Sequence, residues 1–193
     1  MQANKCANEA NSVLGFIKGT FGPTNRQLFS RKTLYESSTP IREYCSSVWC
    51  PHLKKDLNTL EKVQRRASKC AHGNIGQDKP YEERLKLLKW PTLDQRRLFL
   101  SLIECYKTIN KLNGLDPSAF FTLPNDFRPL IIRANHRFKL KLAPAALNSF
   151  KQCFFIRITD KWNNLPKEIA EAENLNIFKN RLRRHLIDFS SEH

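Results

Sequence analysis

The sequence predicts a mainly α-helical protein: a helical bundle followed by a short β-hairpin and C-terminal helices. Three observations predict it. Apolar residues recur three and four positions apart along most of the chain, the period of a helix with one buried face. Strict alternation occurs in one short stretch, Arg137-Phe138-Lys139-Leu140-Lys141-Leu142, the period of a strand. The chain has 193 residues, 40% of them apolar and 10% aromatic, which is enough for a real core and unlike a disordered tail. The expected organisation is a helical region over 1–115 and a C-terminal region over 116–193, with the hairpin at about 128–142. A single compact unit is the alternative.

Taken in order, Ala7, Ala10, Val13, Leu14 and Ile17 give a first helix over 5–18, stopped by Gly19 and then Gly22–Pro23. Thr24 can cap a second helix carrying Leu28, Phe29 and Leu34. Pro40 breaks the pattern, because it lacks an N–H and crowds the preceding turn. Ile41, Tyr44, Cys45, Val48 and Trp49 resume it until Pro51. From about Lys54 to Ala71 comes the most two-faced stretch. Leu57, Leu60, Val63, Ala67 and Ala71 share one side, while Lys55, Lys62, Arg65, Arg66 and Lys69 gather on the other. Asp56 and Glu61 are its only acids, against six Lys and Arg. Such a face is either an ordinary solvated surface or a grip for an anion.

His72 to Pro80 reads as a loop, and Tyr81 to Leu88 as a short helix with Leu85 and Leu88 inward. Thr92-Leu93-Asp94-Gln95 has the form of a capping box. It opens a helix to about Asn113 with Leu98, Leu102, Tyr106, Ile109 and Leu112 inward, ended by Gly114. Leu130 to Arg133 is the expected partner of the alternating strand, with Ala134-Asn135-His136 as the turn. A helix over Phe150 to Trp162 carries Phe150, Phe154, Ile158 and Trp162. A last helix, capped by Asn174, turns Leu175, Phe178, Leu182 and Leu186 inward and Lys179, Arg183 and Arg184 outward.

Lys and Arg number 33 against 18 acids, a formal charge of +15, which favours a polyanionic partner and nucleic acid before a membrane surface. No apolar run is long enough for a membrane span, and the N-terminus has no secretory pattern. The expected location is intracellular, cytoplasmic or nuclear. The six cysteines then belong to a reducing compartment and mostly sit in apolar patterns as small hydrophobes. Cys45, Cys50, His52, Cys70 and His72 are too loosely spaced for a zinc site, so no metal is expected.

Catalytic chemistry finds no constellation. The seven aspartates (56, 78, 94, 116, 126, 160 and 188) stand singly, so none forms the adjacent pair that would hold a polymerase's metal ions. No phosphate loop, HExxH or GxSxG pattern occurs. No cofactor and no small-molecule substrate are expected. Trp49, Trp90 and Trp162 read as core residues before base-stacking ones.

Several motifs nevertheless occur in a familiar order. Leu34–Tyr35–x–Ser37, Pro40, Glu43–Tyr44, Val48–Trp49–x–Pro51 and Leu60–Glu61–x–Val63–Gln64–Arg65–Arg66–Ala67 resemble a segment of non-LTR (LINE-type, jockey-like) retrotransposon reverse transcriptases. The resemblance extends to ANxAN and LGFIKxTFG near the start, to YEERLKxLxxxTLxxRRxxxxLIExYKxxNxL over 81–112, and to WNxLP at 162–166. It implies the thumb and C-terminal region beyond the catalytic palm, with Met1 a truncation point or an internal start codon. It further implies a non-catalytic module that holds the template–primer through its phosphate backbone. RNA or an RNA–DNA duplex, and the missing palm domain, are the implied partners. Lys55, Lys62, Arg65, Arg66 and Lys69 are the first candidates for the grip. Arg96, Arg97, Arg183 and Arg184 come second, since each pair can equally serve an ion pair with Glu104 or Asp188. The other readings are a helical scaffold docking on an acidic protein and a decayed transposon fragment without selected function.

Overall fold

The computed structural model describes residues 2–21, 54–72, 79–122, 136, 138–142 and 154–188. They are mainly helical and fall into two units, Met1–Asp94 and Gln95–His193.

In the first unit, helix α1 (Gln2–Phe21) turns Ala3, Cys6, Ala7, Ala10, Leu14 and Ile17 inward, a stripe at helical spacing. It runs through Gly19, expected to stop it, to Phe21: an interior glycine costs only about 1 kcal/mol, within reach of the packing on this stripe. Helix α2 (Lys54–His72) meets it with Leu60, Val63 and Ala67, all buried. Two clusters result. Cys6, Ala7, Ala10, Leu60, Val63 and Leu93 form one, and Leu14, Ile17, Ala67, Leu85, Leu88 and Trp90 the other. Leu57, expected in the core, is half-buried at its edge. The buried amide of Gln64 donates to the Pro91 carbonyl at 2.9 Å, which satisfies it and ties α2 to the chain leading into the next helix.

Helix α3 (Tyr81–Leu88) ends on Lys89, whose φ of 54° is left-handed. The Trp90 N–H bonds back to the Leu85 carbonyl at 3.0 Å, which closes the helix end and carries the indole into the core.

Helix α4 (Leu93–Ile109) starts directly after Thr92, where the capping residue was expected. Its inward residues Leu102, Ile103 and Tyr106 belong to the core of the second unit. The division therefore falls between Asp94 and Gln95, and not near residue 115 as the sequence suggested. The helix also ends before the expected Asn113. Lys111 takes a φ of 56° and the Leu112 N–H returns to Lys107 O at 2.8 Å, so Leu112, expected inward, is 58% exposed. Asp116 caps a 3-10 turn (Pro117–Ala119) by accepting from the Ser118 N–H and hydroxyl at 3.1 and 2.7 Å.

Strand β1 (Phe121–Thr122) pairs antiparallel with β2 (Lys141–Leu142), Phe121 opposite Leu142. The alternation before Leu142 does turn Leu140 in and Lys141 out. The described partner, however, is 121–122; the expected partner Leu130–Arg133 lies outside the described residues. Helix α5 (Phe154–Asn163) fixes this segment through its last turn. The Trp162 indole N–H donates to Phe138 O at 2.8 Å. The Asn163 amide accepts from Leu140 N at 2.8 Å and donates to Leu140 O at 2.9 Å, taking the place of a neighbouring strand. Helix α6 (Lys167–Ala170) follows, and α7 (Leu175–Asp188) is capped as expected, Asn174 Oδ1 accepting from Ile177 N at 2.9 Å. Phe178 and Leu182 of α7 are fully buried with Trp162, and Tyr106 stacks on Phe178 at 4.4 Å while its hydroxyl donates to Ala172 O.

Candidate nucleic-acid interface

The outward face of α2 forms one wall of an open cleft. Lys62, Arg65, Arg66 and Lys69 are exposed and lie at i, i+3, i+4 and i+7, so they form one row along the helix. Lys79, Pro80, Tyr81 and Arg84, from the start of α3 and the residues before it, form the other wall, and the space between is about 490 Å³. Among the described residues, six cations thus line the cleft, with Pro80 and the Tyr81 ring as its apolar part.

Tyr81 organises the middle of it. Its hydroxyl donates to the Glu61 carboxylate, holding the one acid of the adjoining turn. The Arg65 guanidinium lies over the Tyr81 ring at 5.0 Å from the centroid, and that of Arg84 at 5.8 Å, within the range where a ring's negative face attracts a cation. Arg84 is only 4% exposed. Its Nε donates to Ser68 Oγ at 3.2 Å and its Nη1 to the Lys79 carbonyl, so it braces the cleft from within. Lys79 is held by Glu83 at 2.7 Å, and Arg66 Nη1 donates to Asn11 Oδ1 at 3.2 Å. Among the described residues no carboxylate forms an ion pair with Lys62, Arg65, Arg66 or Lys69.

Four of the five first-choice residues are therefore brought together, and Lys55, exposed near the start of α2, stands outside the cleft lining. Lys79, Tyr81 and Arg84 were missed by sequence reasoning. Arg84 had a signal: it precedes Leu85 and stands four residues before Leu88, so it borders the buried stripe of α3.

Arg96, Arg97, Arg183 and Arg184 belong to the second unit. Arg97, proposed from sequence as an outward cation, is 5% exposed and is corrected to a buried residue. It shares a stripe with the buried Leu93, Ser101 and Cys105, four residues apart along α4. Arg96 is half-buried. Arg183 and Arg184 are exposed, with Arg183 over the Phe99 ring at 5.7 Å. Glu104, a suggested partner for the α4 arginines, is bonded by Lys107 at 2.7 Å.

Among the described residues no three His, Cys, Asp or Glu side chains group as metal ligands, and no helix is long and apolar enough to cross a membrane. Cys45, Cys50 and His52 lie outside the described residues, and Cys70 is half-buried. Burial pushes the Cys105 thiol well above its ordinary range, where it packs as a hydrophobe rather than a nucleophile. Hydrogen bonds from Ser118 hold the Asp116 carboxyl below its usual value, the behaviour of a cap. Comparison with protein-family models, with curated proteins and with solved structures gave no match.

Proposed function

We propose that this chain is a non-catalytic module that grips nucleic acid by its phosphate backbone, derived from the thumb and C-terminal region of a LINE-type reverse transcriptase. The observation that carries the proposal is the row Lys62, Arg65, Arg66 and Lys69, facing one cleft with no paired carboxylate among the described residues. Cations that face a cleft without acid partners can neutralise phosphates, and the gain on binding comes from release of the condensed counterions. Contacts of this kind set position on the strand and read no base sequence. RNA or an RNA–DNA duplex is the proposed partner. In this reading polymerisation belongs to a palm domain elsewhere.

The row from Lys62 to Lys69 is about 10 Å long at 1.5 Å per residue. One strand of a duplex carries a phosphate every 3.4 Å or so of axis, which gives about three contacts and a slope of log K against log salt near −2.7. Purified chain is expected to bind an RNA–DNA duplex with roughly fortyfold loss of affinity between 50 and 200 mM salt. It should extend no primer in magnesium. A slope near zero, or no binding at 50 mM salt, would refute the grip; primer extension would refute the non-catalytic assignment.

A further inference from the structure

The cleft is more than a charged row, and its other features select among nucleic acids. It combines cations on both walls with an apolar strip at Pro80 and Tyr81. On that strip the exposed Arg65 guanidinium lies over the half-buried Tyr81 ring. The Tyr81 ring and hydroxyl are held by Arg84 and Glu61, so the platform is fixed before any ligand arrives.

A duplex has its base faces stacked inside and presents sugars, phosphates and the base edges of its grooves. It can lie across the exposed row of α2, but it offers no free base face to cover Pro80 and Tyr81. An unpaired strand offers both: phosphates for the row and a base face for the Arg65–Tyr81 platform. Single-stranded sites combine these two features, a cationic groove and a planar side chain on which a base stacks, and guanidinium planes serve as well as aromatic rings. The volume agrees: about 490 Å³ between the walls is the size of a small-ligand pocket, suited to a nucleotide or two.

Resting on the backbone-grip reading, we propose that the cleft is a single-strand site: about three consecutive phosphates run along Lys62, Arg65, Arg66 and Lys69, and one unpaired base stacks on Arg65, which Tyr81 backs. Sequence preference is weak, because every base has a face to stack.

The test is fluorescence anisotropy on the full chain with labelled oligothymidylate, a blunt duplex of equal length, and heparin as competitor, each at several salt concentrations. Oligothymidylate should bind about tenfold or more tighter than the duplex, with a slope near −2 for three contacts on a single strand. Heparin should compete less well than unlabelled oligothymidylate. Arg65→Lys keeps the charge and removes the plane. It should weaken oligothymidylate binding at least threefold with the salt slope unchanged. Duplex binding as tight as the single strand, or competition by heparin as strong as by oligothymidylate, would overturn the single-strand site while leaving the backbone grip standing. So would an Arg65→Lys protein that binds oligothymidylate like wild type. If neither nucleic acid binds, the grip itself is wrong and this inference falls with it.

Discussion

Tyr81 shows how one side chain joins chemistry from two helices. Its hydroxyl occupies Glu61 and its ring steadies Arg65, so a residue without charge arranges the charges around it. His136 plays a comparable part in the second unit. It is buried, and its Nε2–H donates to the Trp162 carbonyl at 3.1 Å, with the ring edge-on to the indole. Burial holds its pKa below the usual histidine value; the Trp162 carbonyl and Glu171 oppose that shift and Lys139 adds to it. The unfolded chain binds the proton near pH 6.5, the folded one only at lower pH. His136 therefore contributes stability that is present above about pH 6.5 and lost as the pH falls through the folded-state value. The melting temperature of wild type should drop between pH 7 and pH 5, and His136→Gln, which can still donate to Trp162, should show a smaller drop over the same interval. Thermal melts of both proteins at a series of pH values check this; equal pH dependence would contradict it.

At the scale of elements, α2 is the clearest case of a helix whose two faces do different work. Leu60 is fully buried between α1 and the start of α4, so Leu60→Ala should cost about 2–5 kcal/mol of unfolding free energy, measured by denaturant titration. This helix was legible in the sequence almost to the residue, because its period is unbroken and its cations and apolar residues never mix. The end of α4 was not. Nothing in the sequence before Gly114 marks a stop, and it is a lysine, Lys111, that takes the left-handed turn. Arg97 was misplaced because Arg96–Arg97 reads as a surface pair, whereas spacing from Leu93, Ser101 and Cys105 puts it on the buried stripe. The β pairing was half legible. Alternation gave the sides of Leu140 and Lys141, but a partner twenty residues upstream, Phe121–Thr122, leaves no local signature. The bonds from Trp162 and Asn163 to the backbone of 138 and 140 give WNxLP a structural role: it holds the segment that leads into β2.

For the whole molecule, the charge of +15 favours an anionic partner but does not say where one would sit. The fold gathers cations that are apart in sequence: Lys62 to Lys69 face a cleft shared with Lys79 and Arg84, which no linear pattern could join across residues 73–78. The central claim is that this face binds phosphates and is not needed for folding. Replacing Arg65 and Arg66 together by Gln, and measuring binding to an RNA–DNA duplex across a range of salt concentrations, tests it most directly. Both arginines are exposed, so the melting curve of the double variant should stay close to that of wild type. Its affinity should fall, and its salt slope should flatten by about one unit for each phosphate the variant no longer neutralises, two at most. A double variant that folds and binds with the wild-type affinity and slope would contradict the account.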